Sequence, residues 1–240
     1  MGYQRPYIVL NGTSSEAIDG LLISSLPPIR KPAMRYSEEE VDGRDGDIVT
    51  TLGYKAYDKS VGIGLSGDFD IDKAIQFLAS SGRVTFSNEP DKYYRYQVLD
   101  AIDFERLVRY RTAKVKMHVQ PFKYSTMERA KVWTFSEQSK SVKVINSGNT
   151  RSCPTITLAG SGSIGLYING SQALAISMPD SGSLRIDVEG MNAYNGASDN
   201  LANRFVAGDY SSLMLPHGSN VISWSGNVTE LGIDNYSRWI

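Results

Sequence analysis

Scarcity says as much about this chain of 240 residues as abundance does. A single cysteine, Cys153, rules out an intramolecular disulfide, and with only two histidines, His118 and His217, most soft metal sites are excluded too. Cys153 is expected to act as a small buried apolar group. Neither sign of charge dominates: 25 Lys/Arg against 26 Asp/Glu leave a formal net charge of -1, so no global electrostatic footprint points to nucleic acid or to an anionic membrane. Long apolar runs are missing as well. No stretch of about 18 apolar residues occurs, and MGYQRPYIVLNGTSSEAIDG has no basic region followed by an apolar segment and a small-residue cleavage site. Neither export by a visible signal nor membrane insertion is expected. Gly2 fails as a myristoylation site because Pro6 stands where Ser or Thr is required. Asn-x-Ser/Thr triplets begin at Asn11, Asn169, Asn227 and Asn235 and read as polar turns.

What is present is unevenly distributed. Residues 1–135 hold 19 Lys/Arg and 18 Asp/Glu, residues 136–240 only 6 and 8, and the second stretch is rich in Gly, Ser and Asn. That step predicts two domains, 1–135 and 136–240, with the polar segment Ser136 to Thr150 as linker chemistry around the boundary. In the first, Val115, Met117 and Val119 alternate with polar neighbours, the signature of a strand with one buried face and His118 on the polar side. Tyr94, Tyr96 and Val98 suggest a strand partly covered on both sides. One helix is predicted from Ile71, Ala74, Ile75 and Leu78, with Asp70 or Asp72 as cap and Gly82 as terminator. The Gly- and Asp-rich turn Asp42, Gly43, Arg44, Asp45, Gly46, Asp47 opens onto strand-like residues and marks a candidate hairpin arm. The second domain reads as seven short strands: Ser141 to Ile145, Thr155 to Leu158, Ile164 to Ile168, Ala173 to Ser177, Ser183 to Val188, Asn220 to Ser225 and Val228 to Ile233. Asn169-Gly170 is a two-residue hairpin signal, and the spacing implies an antiparallel sandwich.

Candidate chemistry is thin. Asp42, Asp45 and Asp47 invite calcium, but Arg44 and Gly46 occupy positions where the loop needs oxygen ligands, so a solvated turn is expected. The run Glu38 to Glu40 reads as a solvated or interface surface on a polar, flexible segment rather than a carboxylate pair held for acid and base work. His217, in LPHGSN, has no nucleophile elbow near it. Gly62, Gly64 and Gly67 lack the strand-turn-helix context of a phosphate loop and suit bends in a strand. Arg106, Arg109, Arg111, Lys114 and Lys116 form the densest basic stretch, expected as a solvated strand face, with a lining for passing DNA as the other option. Tyr167, Tyr194, Tyr210, Trp224 and Tyr236 are candidates for a sugar-stacking platform or for core and interface.

The blocks VDGRDGD, LGYKAYDKSVGIGL, FSNEPDKYYRYQV and VQPFKY, followed by VINSGNTRSCPTITLAGSGSIGLYING and NVISWSGNVTELGIDNYSRWI, resemble the distal tail protein of long-tailed, non-contractile phages and prophages of Gram-positive bacteria. The resemblance covers nearly the whole chain, with His217 between Pro and Gly as a local departure. It rests on Pro90, Asp91, Lys92, Tyr93, Tyr94, Pro121, Phe122, Lys123 and Tyr124 among others. It implies a mainly β protein: an N-terminal sandwich- or barrel-like ring domain with one α-helix and a hairpin arm, and a C-terminal galectin-like antiparallel β-sandwich. Trp239 and Ile240 are expected to tuck back against the N-terminal domain, since a terminal aromatic left exposed would favour aggregation. The resemblance further implies no enzymatic activity, no cofactor and no metal. The expected assembly is a homohexameric ring at the virion tail tip, built in the host cytoplasm, that joins the tail tube protein to tail-associated, receptor-binding and baseplate proteins and leaves a channel for DNA. Ring contacts would involve the residues from Asp42 to Asp47 with Tyr54 and Tyr57. The alternative is a carbohydrate-binding module for the host surface, with Tyr167, Tyr194 and Trp224 as contacts.

Overall fold

The computed structural model describes residues 5–135, 140–196 and 198–240, and the backbone of residues 179–181. Residues 136–139, which open the linker expected from composition, and Gly2 lie outside the described residues. The chain divides into two compact units, Met1–Thr126 with Ile240, and Met127–Trp239. Among the described residues no helix is long and apolar enough to cross a membrane.

The first unit contains β1 (Ile8–Leu10), β2 (Thr13–Ser14), β3 (Leu21–Ser25), β4 (Met34–Glu40), β5 (Asp47–Tyr54), β6 (Tyr57–Leu65), α1 (Ile71–Leu78), β7 (Gly82–Phe86), β8 (Lys92–Gln97), α2 (Phe104–Tyr110) and β9 (Thr112–Ser125). Its main sheet is antiparallel in the order β2-β1-β7-β8-β9-β6-β3. Among the described residues, strands β4 and β5 pair only with each other. The alternation in β9 places Val115, Met117 and Val119 in the core, where they meet Val61 and Ile63 of β6, Phe77 and Leu78 of α1, and Leu107 of α2. His118 lies on the polar face, its Nδ1 2.8 Å from Asp58 Oδ1.

Helix α1 starts as expected, because the Asp70 carboxylate accepts from the backbone N–H groups of Asp72 and Lys73. Its end differs. The helix stops at Ala79, and Gly82 instead opens β7 at φ +134°, where Asn11 Oδ1 fills the space a Cβ would need. A second helix corrects the expectation of one. Asp103 caps it by accepting from Arg106 N–H at 2.8 Å, and Arg111, at φ +57°, ends it in the left-handed region. With only Leu107 buried, seven residues leave no apolar stripe to recognise, so Arg106 and Arg109 lie on a helix and not on the strand face expected from the sequence.

The second unit contains β10 (Lys131–Thr134), β11 (Ser141–Asn146), β12 (Thr155–Ile168), β13 (Ser171–Asp187), β14 (Asn192–Asn195), β15 (Val206–Gly208) and β16 (Gly218–Asp234). The expected Asn169-Gly170 turn is there: φ is +50° and +87°, and Ile168 pairs with Ser171. Six of the seven short strands expected from the sequence, however, merge pairwise into three long ones, β12, β13 and β16. The small-residue stretches that read as turns are irregularities inside strands. Register shifts fall between Gly160 and Gly162 in the β12–β13 ladder and between Ser161 and Gly165 in the β12–β16 ladder. On one side of the shifts the order is β10-β16-β12-β13-β14; on the other, β11 pairs with β16 and β15 with β13. Ile156, Leu158, Leu231 and Ile233 from the first half share one core with Leu166, Ile168, Ile222 and Trp224 from the second, which is sandwich packing by bent strands.

Asn235 departs from the polar-turn reading of its triplet. It is buried, and its amide donates to Glu128 Oε1, the Ile145 carbonyl and Ser237 Oγ while its oxygen accepts from Ser152. Glu128 Oε2 also accepts from the Ser237 N–H, so the strand ends around it are closed by a satisfied polar cluster.

Gly226 tests the account of the bent strands. It sits at φ +85° with a Cβ position only 2.2 Å from the Ser163 carbonyl oxygen, whereas Gly162, at φ +75°, has nothing within 4 Å. Gly226→Ala is expected to lower unfolding free energy by about 2–3 kcal/mol in urea titration, and Gly162→Ala by clearly less. Equal losses would mean that the close approach at Gly226 is not a constraint.

Candidate assembly surface and its anchoring

The β4–β5 hairpin is well formed, with Glu40 opposite Asp47 and Met34 opposite Tyr54. Gly43 and Gly46, at φ +80° and +76°, supply the left-handed positions of the turn, and Arg44 N–H donates to the Val41 carbonyl at 3.1 Å. Glu38 to Glu40 thus belong to a strand and not to an irregular segment. Every residue from Met34 to Gly53 is exposed, including Tyr36 at 54% and Val49 at 59%. Asp42, Asp45 and Asp47 are in the turn and at the start of β5, and among the described residues no three His, Cys, Asp or Glu side chains are grouped to hold a metal ion.

The arm's tip is bare but its base is pinned. Lys55 N–H donates to the Ala33 carbonyl at 2.8 Å, and Tyr54 packs edge-on against Phe122 with centroids 5.7 Å apart. Lys59 of β6, only 3% exposed, donates to the Pro28 carbonyl at 3.0 Å, and Asn88 donates to the Pro27 carbonyl at 3.1 Å. Both hold the segment that leads into β4.

Below this base lies a buried polar cluster built from the β6, β8 and β9 region. Glu89 accepts from Tyr94 O–H at Oε2 and from Lys123 Nζ at Oε1, both at 2.9 Å. The Lys59 ammonium lies 4.7 Å from the Tyr94 ring centroid and 5.6 Å from that of Tyr57. Burial pushes the Lys59 amine down to about 8, the Glu89 carboxylate offsetting part of that effect. Burial likewise raises the phenols of Tyr57 and Tyr94. On the opposite face of β8, Tyr93 stacks on Tyr124 with centroids 5.4 Å apart, and the Arg83 and Arg95 guanidiniums lie over the two rings at 4.8 and 4.6 Å. Alternation thus explains the Tyr-Tyr-Arg-Tyr run: Tyr94 and Tyr96 enter the core, while Tyr93 and Arg95 build an aromatic–cation stack. Pro90 and Asp91 form the turn into β8, their carbonyls accepting from Thr126, and Pro121 lies within β9. The structure brings Tyr57, Tyr94 and Lys123 together; Glu89 and Lys59 were not among the residues singled out from the sequence, although Glu89 stands inside the block FSNEPDKYYRYQV.

In the second unit Trp224 is 4% exposed and packs on Phe135 at 4.5 Å between centroids, so it offers no face to a sugar. Tyr194 is half-buried beneath the Arg185 guanidinium, 5.0 Å from its ring, and Arg185 pairs with Asp199. These groups, with Asp187, Asp234 and Tyr236, line a recess of about 540 Å³; Tyr167 is not part of it. His217 is exposed, and its Nδ1 contacts the Gly148 carbonyl oxygen.

Lys59 gives the anchor a pH signature. Between about pH 8 and 10 the unfolded chain keeps this proton, with an ordinary lysine value near 10.4, while the folded chain has released it; stability therefore rises with pH by roughly 1–2 kcal/mol and flattens below pH 8. Lys59→Met should abolish that rise in urea unfolding series at stepped pH. Identical slopes in the two proteins would refute the assignment.

No family model matches the chain, and no curated protein matches it. Among solved structures, the Dit (gp 19.1) protein of phage SPP1, described as a paradigm of the hub adsorption apparatus in phages infecting Gram-positive bacteria, is similar over 96% of this chain and 99% of that one, with a TM-score of 0.61 at 16% identity. A chain of the phage p2 baseplate in its activated conformation with Sr is similar over 96% of this chain and 98% of that one, at 10% identity and a TM-score of 0.49. The chain therefore has the mainly β, two-part fold of a phage distal tail protein.

Proposed function

We propose that this chain is a structural hub of a phage tail tip, without enzymatic activity, that assembles as a homohexameric ring. The ring connects the tail tube protein to tail-associated, receptor-binding and baseplate proteins, and DNA passes through its channel without specific binding. The first unit, Met1–Thr126, builds the ring and the second, Met127–Trp239, forms the outward domain, β10 and Phe135 belonging to the second although they precede the boundary expected at residue 135 from composition. The particle's site is the virion tail tip, with assembly in the host cytoplasm. The observation that supports this reading most is the β4–β5 arm: a two-stranded sheet exposed along its length, on a base fixed by buried contacts. An isolated hairpin of that kind is marginal in water, so a partner surface is expected to complete it. The full-length likeness to the SPP1 protein supports the same reading. The recess beside Tyr194 favours a second one, saccharide binding by the second unit, with a guanidinium stacked on an aromatic ring beside carboxylates.

Replacing residues 37–50 by Asn-Gly joins Tyr36 to Thr51, which are paired in register, through a two-residue turn. The removed residues are exposed, so monomer stability is expected to stay within about 0.5 kcal/mol. Light scattering after size exclusion should show a hexamer for the intact chain and dissociation for the shortened one. A shortened chain that still runs as a hexamer would remove the arm from the ring contacts.

A further inference from the structure

We infer that the acidic face of the β4–β5 arm docks on helix α2 of a second copy of this chain, a contact that rests on the ring reading above. The ladder register puts Tyr36 opposite Thr51, Glu38 opposite Val49 and Glu40 opposite Asp47. Alternation then gathers Glu38, Glu40 and Asp47 on the same face as Tyr36 and Val49. Like charges directly opposite one another weaken a hairpin, and Glu40 faces Asp47 with Glu38 one pair away. Among the described residues none of the three carboxylates has an ion-pair partner. The arm's own cations do not relieve them: Arg35 donates to the Leu52 carbonyl at 3.1 Å, and Arg44 lies in the turn. The face therefore fits a surface that brings positive charge together with apolar contact.

Helix α2 has both. The Arg106 and Arg109 guanidiniums lie 6.0 and 5.5 Å from the Tyr110 ring, with no carboxylate paired to either among the described residues. Val108 and Tyr110 beside them are 41% and 61% exposed. Several other cations of the unit are already engaged: Lys116 with Asp58 and Asp100, Lys123 with Glu89, Arg83 and Arg95 with the Tyr93 and Tyr124 rings. An arm on one part of the surface and its complement on another make a head-to-tail contact, the kind that closes into a ring. Opposite charge selects the register, and Tyr36 and Val49 against Val108 and Tyr110 supply the buried area.

Charge reversal on the full chain tests this. The helix variant R106E/R109E and the arm variant E38K/E40K/D47K should each run as monomers in light scattering at concentrations where the unmodified chain forms rings. An equimolar mixture of the two should recover rings, because each reversed arm then meets a reversed helix and each native arm a native one. Recovery also requires both variants to be folded. A mixture that stays monomeric, or a single variant that assembles like the unmodified chain, overturns the docking while the ring reading stands. An unmodified chain that never assembles overturns both. Should the reversals impair folding, R106Q/R109Q is expected to weaken assembly about tenfold, and an unchanged assembly constant overturns the docking.

Discussion

The first unit depends on one carboxylate. Glu89 stands between the Tyr94 hydroxyl and the Lys123 ammonium, and its charge offsets part of the cost of burying Lys59. Without it, Lys123 and Lys59 would be two amines in a poorly hydrated space, the arrangement that buried charges least tolerate. With it, Lys59 stays in place to hold the Pro28 carbonyl, and the segment entering β4 is fixed from one side while Tyr54 and Phe122 fix the strand leaving β5 from the other. The cluster is therefore mechanical in effect. It gives a hairpin that has no sheet of its own to lean on a rigid origin.

The same use of polar groups runs through both units. Strong polar interactions are spent on holding β-elements in register, at Glu89 in one unit and at Glu128 with Asn235 and Ser237 in the other. The histidines are taken by Asp58 and by a backbone carbonyl, and Cys153 is buried with its thiol pushed up by burial. The arm and helix α2 both present charge together with apolar side chains to solvent. Such surfaces suit assembly, where two halves of a contact are supplied by different copies.

Much of the fold was legible in the sequence where one physical signal dominates. Alternation marked β9, Asp70 marked the start of α1, and Asn169-Gly170 marked a turn because few residues other than that pair accept positive φ at both positions. The resemblance also announced the mainly β class and the arm. The sandwich strands were legible only in pieces, since glycine and serine signal a turn and a bulge alike; which one forms is decided by whether a neighbouring strand continues the ladder, as β16 does past Gly226. Helix α2 was hidden because a single buried Leu107 has no period. Glu89 and Lys59 were hidden for another reason. Nothing local distinguishes a charged residue that will be buried from one that stays in water, and the charge partner of Glu89, Lys123, and the carbonyl that Lys59 reaches are 34 and 31 residues away.

If these surfaces close a ring, images of the negatively stained, purified full chain will reveal it. Class averages should show six-fold particles with a central hole. A field of single, compact particles with no rings at concentrations well above those used for staining would contradict the account.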